Sequence, residues 1–349
     1  MKSLYIMGTF GSGKTAVCVG LVQKLIERGK KVAYFKPVGT RGALHNEDED
    51  ALLMKSLLGM DASPAEISPF KTSPFYLTRY ERGPDYRGQV LEAFHKIGDD
   101  ADVVLVEGIT SPQVMAGLGL DPASLAREMG SKILTVNRVR NDFSLDAILL
   151  LNELLTLKGL EVIGTIFNFV RRPVLDKARG VYKPILEEAG FDVIGIIPED
   201  LELSSPTVAE YYDILGGELL AGEDHLDRIV EDVLVGAMTL DSALRFFRRS
   251  ANKIVITGGD RADLALAALE TNTSALVLTG GLYPNVKVIA TADQKGVPVI
   301  MVHHDTYTTI ELTHEVSRKI HPDDQKAIKM AKDTLEAYCD YERILAALE

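Results

Sequence analysis

Residues 8–15, GTFGSGKT, combine the residue types that hold a phosphate group. They fit the pattern G-x-x-x-x-G-K-[ST], in which glycines let successive backbone amides converge on one phosphate. The lysine reaches the outer phosphates, and the hydroxyl that follows is placed to bind magnesium. The residues expected to bind a nucleotide here are Gly8, Thr9, Gly11, Ser12, Gly13, Lys14 and Thr15.

A magnesium ion beside this loop would need carboxylate ligands. Glu107 ends the apolar run VVLVE, at the carboxyl end of a predicted strand, where ligands bind in open α/β sheets. A second acid is expected from residues 47–50, EDED, and position alone does not choose among the four. The alternatives are a solvated acid at a strand end and an acidic helix start.

Lys36 lies in the phrase FKPVGT, residues 35–40, directly after an apolar run. It therefore falls at a predicted strand end, on the side where the phosphates should lie. Lysines are seldom buried without a partner, which favours a role at the site. A surface lysine at the start of a loop remains the alternative.

The elements that must position these residues are short strands alternating with helices. Six continuously apolar runs indicate strands covered on both faces: SLYIM, KVAYFKP, DVVLVEG, KILTVN, EVIGTIFNF and DVIGIIPED. Amphipathic segments between them, such as VGLVQKLIER, indicate a doubly wound, mostly parallel sheet. The predicted fold is thus α/β, with this P-loop domain at residues 1–205.

The pattern changes near residues 203–212. Three helical stretches are predicted first, over VAEYYDILGGELL, LDRIVEDVLVGAM and LDSALRFFRR. Strands then return as KIVITGG, ALVLTGG and VPVIMVHH, which predicts a second, smaller α/β domain at 206–325. The remainder, 326–349, is expected to form one helix or two, too little for a further catalytic domain.

Composition limits the class of protein. A net charge of −12 over 349 residues argues against a nucleic-acid partner, which needs a Lys/Arg surplus. Two distant cysteines, Cys18 and Cys339, argue against a disulfide framework and suit a reducing compartment. No apolar segment reaches the length of a membrane span, so we expect a cytoplasmic protein with no membrane partner.

Six phrases in order resemble the ATP-binding domain of dethiobiotin synthetase and its cobyrinic-acid-synthase relatives: GTFGSGKT, FKPVGT, EDALLM, VVLVEG, IFNFV and IIPED. The resemblance covers about residues 1–205 and implies ATP and Mg²⁺ as cofactors. It implies that Thr15, Asp50 and Glu107 hold the magnesium and that Asn168 reads the adenine. It further implies that Thr9, Lys14 and Lys36 are catalytic and face the reacting substrate group.

One turn departs from that resemblance. Residues 107–112 read EGITSP, whereas dethiobiotin synthetases carry a glycine-rich EGAGG-like turn near the substrate. The nucleotide half of the resemblance is therefore better supported than the synthetase half.

The second domain resembles the DRTGG domain. The resemblance rests on Asp260-Arg261 after a Gly-Gly turn, on Thr279-Gly280-Gly281 after the next strand, and on VPVIMVHHDTYTT. In long bacterial phosphotransacetylases such a domain follows a dethiobiotin-synthetase-like domain, so the chain resembles their N-terminal region. The candidate ligand residues are Asp260, Arg261, Thr279, Gly280, Gly281 and Asp305. Glycine-rich turns at strand ends can present amides to an anion; the alternative is tight connections and a protein–protein surface.

Two functional hypotheses stay open, and whether the protein is an enzyme is not decided. The first is a nucleotide-responsive regulatory protein that acts on an acyl-metabolism enzyme such as phosphotransacetylase. The second is an ATP-dependent ligase or carboxylase that transfers the γ-phosphoryl group to a carboxylate or carbamate; ATPase activity suits both. A weaker third is a kinase with Arg171 and Arg172 as a clamp. A homodimer is expected, with contacts through helices in 206–250 or the C-terminal helix.

Overall fold

The protein is described by a computed structural model that covers residues 1–39, 47–72, 76–77, 85–109 and 111–349. It divides into two compact units. The first comprises Met1–Leu203 together with Ile320–Glu349, and the second comprises Ser204–Lys319. The C-terminal segment, which the sequence set apart as 326–349, thus packs within the first unit.

The first unit is built on a six-stranded parallel sheet with the order β2-β5-β1-β6-β7-β8. Its six strands coincide with the six apolar runs, so the predicted doubly wound fold is confirmed. Two short strands, β3 and β4, pair separately. The strands of this unit are β1 (Lys2–Gly8), β2 (Val32–Phe35), β3 (Val38–Gly39), β4 (Phe70–Lys71), β5 (Val103–Glu107), β6 (Lys132–Arg138), β7 (Val162–Val170) and β8 (Val193–Pro198).

Helices cover both faces of this sheet, which is why its strands are apolar throughout. Residues of α1, α2, α15 and α16 share a core on one face, and residues of α4 and α5 share a core on the other. The helices are α1 (Lys14–Glu27), α2 (Glu49–Leu58), α3 (Pro64–Ile67), α4 (Tyr86–Gly98), α5 (Pro122–Glu128), α6 (Asp142–Leu157), α7 (Arg172–Lys177), α8 (Lys183–Glu188) and α9 (Leu201–Ser204), followed after the second unit by α15 (Gln325–Tyr338) and α16 (Tyr341–Ala346).

Helix α15 packs directly on α1, the helix that follows the glycine-rich loop. A glycine at position 20 makes this possible, because a Cβ there would lie 3.0 Å from both the Ala331 carbonyl oxygen and the Leu335 Cβ. Lys24 on α1 forms an ion pair with Glu336 on α15 at 2.9 Å. The C-terminal segment therefore forms a wall beside the loop helix.

The second unit contains a five-stranded sheet with the order β10-β11-β12-β13-β9, in which only β9 runs antiparallel to its neighbour. Helices pack on both of its faces. Its elements are α10 (Val208–Leu215), β9 (Glu218–Ala221), β10 (Asp232–Val235), α11 (Leu240–Phe247), β11 (Lys253–Gly258), α12 (Ala262–Leu269), β12 (Thr273–Thr279), α13 (Val286–Lys295), β13 (Val299–Met301) and α14 (Thr306–Thr313).

Two of the helical stretches predicted for 206–250 are wrong in part. Residues of GGELL and EDVLV form β9 and β10 rather than helix. Gly216 and Gly217 adopt positive φ angles and end α10, because glycine tolerates this left-handed backbone. The two short segments then add to the edges of the sheet, beside β13 and β11.

Candidate functional site

The glycine-rich loop connects the end of β1 to the start of α1, as the motif requires. Its glycines are needed for two different reasons. A Cβ on Gly8 would lie 2.0 Å from the Val136 carbonyl oxygen, and one on Gly13 would lie 2.3 Å from Asn168 Nδ2. Gly11 has open space around it but a φ of 61°, which favours glycine. Neighbouring strands and backbone geometry thus hold the loop in its curled form.

Lys14 begins α1 and is only 7% exposed. Its Nζ donates to the Thr9 carbonyl oxygen at 2.9 Å, so the ammonium group folds back over the loop. Burial lowers the pKa of Lys14, although the Glu107 charge acts in the opposite direction. A desolvated cation above a ring of backbone amides is well suited to bind an anion.

Thr15 and Glu107 lie in contact at the carboxyl edge of the sheet. That they bind magnesium, as the resemblance implies, stays a prediction. Thr15 Oγ1 donates to Glu107 Oε1 at 2.9 Å, and Tyr34 OH donates to Glu107 Oε2 at 2.9 Å. Burial raises the pKa of Glu107 to about 7, and the nearby charge of Asp50 adds to this effect. A cation at this place would relieve the cost of the buried carboxylate.

Lys36 is buried and is held by two acids of the 47–50 run. Its Nζ lies 3.0 Å from Asp48 Oδ2 and forms a closer ion pair with Asp50. Asp48 also caps α2 by accepting a hydrogen bond from the Ala51 amide. Burial alone lowers the pKa of Lys36, but the charges of Asp48 and Asp50 outweigh it and hold this pKa well above its usual value.

The oxygen ligands that magnesium requires are present in this cluster. Thr15, Glu107 and Asp50 supply one hydroxyl and two carboxylates, the donor set that Mg²⁺ prefers beside nucleotide phosphates. Ser12 Oγ, in the loop itself, is buried and has no hydrogen-bond partner among the described residues. A buried polar atom of this kind normally has a partner, so the loop fits an additional polar group. Within the described ranges, no group of three His, Cys, Asp or Glu side chains forms a metal site.

Asn168, near the end of β7, contacts the glycine-rich loop. Its Nδ2 donates to the Ser12 carbonyl oxygen at 2.8 Å, and its Oδ1 accepts from the Phe169 amide at 2.9 Å. Both functions of the side-chain amide are thus engaged by backbone groups. That Asn168 reads adenine stays a prediction; its observed contacts position the loop.

A small cleft, partly open to solvent, lies beside the start of α1. Its lining is mainly apolar, with polar groups from Asn168, Asp200 and Thr334. One wall comes from α15, through Ala331, Thr334 and Leu335. Nothing in the sequence pattern connected residues 331–335 with the loop, because more than 300 residues separate the two segments.

Two residues of the cluster were missed as partners. Tyr34 is aligned with Leu105 across β2 and β5, so its side chain shares a sheet face with that of Glu107, two residues further on. Asp48 stands three residues before Ala51, the spacing of a helix cap. Thr40 of the FKPVGT phrase and Thr110 of the turn after Glu107 lie outside the described residues.

The candidate residues of the second unit come together along the carboxyl ends of β11, β12 and β13. The Thr279 and Thr306 hydroxyls lie 2.9 Å apart, and Asp305 caps α14 through the Thr308 amide. Arg261 binds the Asp263 carboxylate and donates to the Met238 carbonyl oxygen. Asp260 precedes Arg261, two residues after the end of β11.

The amides of Gly280 and Gly281 do not point at an anion, as the sequence had led us to expect, but donate to backbone carbonyl groups. The Gly280 amide donates to the His304 carbonyl oxygen and the Gly281 amide to that of Val302, both at 2.9 Å. They connect two loops of the unit instead of pointing at an anion, because the neighbouring strand supplies carbonyl groups within reach. Ligand binding by the six candidate residues stays a prediction.

Comparison with known proteins gives the class of each unit. A family model described as AAA domain matches residues 2–207, more than half of the chain, and a model described as DRTGG domain matches residues 210–316. The chain therefore belongs to this P-loop family of AAA domains and carries a DRTGG domain, which confirms the predicted P-loop and DRTGG domains. The closer likeness of the first domain to dethiobiotin synthetase stays a prediction.

Its curated relatives include phosphate acetyltransferases. The one from Nitratidesulfovibrio vulgaris is 28% identical over 97% of this chain and 50% of its own length, and that from Pseudomonas putida is 26% identical over 97% and 51%. The chain thus spans about half the length of the relatives it matches. Among solved structures, the CBS and DRTGG domains of a Clostridium perfringens pyrophosphatase, complexed with diadenosine tetraphosphate, are 21% identical over 48% of this chain and 84% of that one, with a TM-score of 0.29.

None of the helices in the described part of the chain has the length and apolar character needed to cross a membrane.

Proposed function

We propose that this chain is a nucleotide-responsive regulatory protein whose first unit binds Mg·ATP. The observation that supports it best is the prearranged cluster of Lys14, Thr15 and Glu107 around the curled loop. The loop amides and Lys14 would hold the phosphates. Thr15, Asp50 and Glu107 would hold magnesium, which supplies charge neutralisation for the phosphate oxygens when bound.

The cleft beside α1 would receive the adenine. It is lined mainly by apolar side chains and carries a few polar groups, the usual character of a base pocket. Residues of α15 would then contact the bound base. This would connect nucleotide binding to the segment that follows the second unit.

The ion pairs of Lys36 favour nucleotide binding without phosphoryl transfer. In a ligase this lysine would face the reacting group, but here Asp48 and Asp50 neutralise it. With Asp50 bound to magnesium, Asp48 would still hold Lys36, and breaking this buried ion pair to free the lysine is costly. The DRTGG domain and the phosphate acetyltransferase relatives support a partner in acyl metabolism, such as phosphotransacetylase.

A ligase or carboxylase of the dethiobiotin synthetase type is the second candidate. It is favoured by the meeting of Lys14, Lys36, Thr15, Asp50 and Glu107 in one buried cluster. Magnesium binding to Asp50 would remove one of the two ion pairs of Lys36, and separation from Asp48 would then free the lysine toward the substrate. The same arrangement would then serve phosphoryl transfer to a carboxylate or carbamate oxygen.

One experiment separates the two candidates. Mg·ATP binding is measured by calorimetry, and ADP release is measured with a panel of amines, carboxylates and bicarbonate. We expect wild type to bind Mg·ATP without metabolite-dependent turnover, and Lys14→Ala to bind at least about 100-fold more weakly, since it loses a desolvated charge–phosphate contact. Turnover that requires one metabolite and disappears in Lys14→Ala would establish the ligase. Absence of any nucleotide binding by wild type would refute both.

The proposal extends to the cellular setting. The strongly acidic balance suits neither nucleic acid nor an anionic membrane surface. A cytoplasmic homodimer is the form in which we expect the protein to act.

A further inference from the structure

Helix α6 carries an apolar stripe on its solvent side. Phe143, Leu150, Leu154 and Leu157 are 79%, 68%, 45% and 85% exposed, and Ala147 is exposed between them. The opposite side of the helix is mainly apolar and is buried against the sheet through Leu145, Ile148 and Leu155, together with the polar Asn152. A helix that is apolar on both sides is normally covered on both sides.

The spacing of the stripe indicates another helix as the covering element. Its members follow one another at intervals of four, three, four and three residues, which are positions d, a, d, a and d of a heptad. This period keeps one narrow seam in contact with a second helix along the whole length of α6. A partner with a flat or irregular surface would not require this heptad spacing.

The residues that flank the stripe indicate a second copy of the same helix. One flank, the g positions, carries Asp146 and Glu153; the other, the e positions, carries Ser144, Leu151 and Lys158. In a parallel pair, each g residue faces the e residue five positions later in the other copy. Glu153 would then face Lys158 of the second copy, and no like charges would meet. An antiparallel pair would place Asp146 opposite Glu153 of the second copy, which is unfavourable.

We propose that two copies of this chain associate through the α6 stripe, with the two helices parallel about a two-fold axis. The interface is isologous, so Ala147, Leu150 and Leu154 each lie next to themselves in the other copy. The inference rests on the homodimer in the proposed function but not on nucleotide binding. It replaces the helices of 206–250 and the C-terminal helix as contact candidates, and α15 already uses its apolar side against α1.

The first test is the mass of the full chain in solution. Wild type should sediment at twice the 38.2 kDa chain mass. Leu150→Asp should raise the dimer dissociation constant by at least about 100-fold, because a two-fold interface contains the change twice. Val286→Asp, a change at an equally exposed apolar residue of the second unit, is the matched control and should leave the dimer intact. Circular dichroism checks that each variant is folded.

The second test is disulfide formation under mild oxidation. Because the native Cys339 is only partly buried, the test uses a Cys339→Ser background. In it, Ala147→Cys and Leu150→Cys should each give a covalent dimer, whereas Cys339→Ser alone, whose remaining Cys18 is buried, should not. A covalent dimer from Leu150→Cys alone would overturn the parallel arrangement. If Leu150→Asp leaves the wild-type dimer unchanged, the α6 stripe is not the dimer interface. If wild type is a monomer, the proposed homodimer is refuted as well. Neither result bears on Mg·ATP binding.

Discussion

Replacement of Glu107 by Gln should change how the stability of the first unit depends on pH. Glu107 is buried, and its pKa is raised from 4.5 to about 7 in the folded protein. A carboxyl whose folded pKa is raised stabilises the fold fully below its unfolded pKa and loses that contribution as the pH rises through the folded pKa. Wild type should therefore become less stable between pH 4.5 and 7 because of this residue.

The magnitude follows from the same pKa difference. One pH unit is worth about 1.4 kcal/mol, so the complete effect is about 3 kcal/mol, of which about 2–3 kcal/mol falls between pH 5 and 8.5. Glutamine does not titrate, so Glu107→Gln removes this dependence. The variant also weakens a hydrogen bond from Thr15 or Tyr34, but that cost does not depend on pH and cancels when the two pH values are compared.

The assay is hydrogen exchange of peptides that span β1 and β5, corrected for intrinsic exchange at each pH. These adjacent strands lie at the centre of the sheet and report on the first unit alone. Glu66→Gln serves as control, because its Lys96 hydrogen bond lowers the pKa of Glu66 to about 2 and leaves it ionised throughout this range. If the difference between wild type and Glu107→Gln were the same at pH 5 and pH 8.5, the buried-carboxylate argument would be refuted.

Three further predictions concern the loop and the cleft. Gly13→Ala should destabilise the first unit by about 1–3 kcal/mol, because Gly13 has a φ of 84° and the added Cβ would displace Asn168. Gly11→Ala, with open space around it, should cost about 1 kcal/mol. Urea unfolding compares the two variants. Asn168→Ala should weaken ATP and GTP binding alike, by about tenfold in calorimetry, because the side chain holds the loop; a loss confined to ATP would show that it reads adenine. Thr334→Phe, at a partly buried residue of the cleft wall, should fill the cleft and abolish ATP binding while tripolyphosphate still binds in calorimetry, and retained ATP binding would place the base elsewhere.

The strands were predictable to different degrees in the two units. The six strands of the first sheet are continuously apolar because helices cover both faces, and this signal is visible in the sequence. β9 and β10 have only four residues each and stand at sheet edges, so short apolar runs were assigned to helices. Their pairing partners, β13 and β11, come later in the chain, and no local pattern indicates such pairing.

The site shows the same division. Lys14, Thr15 and Glu107 were predictable together because a motif and a strand end both direct residues to one edge of the sheet. Which acids hold Lys36 was not, since residues 47–50 are all acidic and only the cap geometry of α2 places Asp48 inward. The engagement of Asn168 by the loop depends on a contact across 156 residues.

The sequence by itself determined the glycine-rich loop between a strand and a helix and the strand–helix alternation of the first sheet, because each depends on residues close together in the chain. The tertiary structure decided which side chains meet: Tyr34 with Glu107, Asp48 with Lys36, and α15 with α1. It also decided that the outer side of α6 stays exposed in the single chain. Burial and ion pairing are properties of surfaces brought together by folding, and a linear pattern does not contain them.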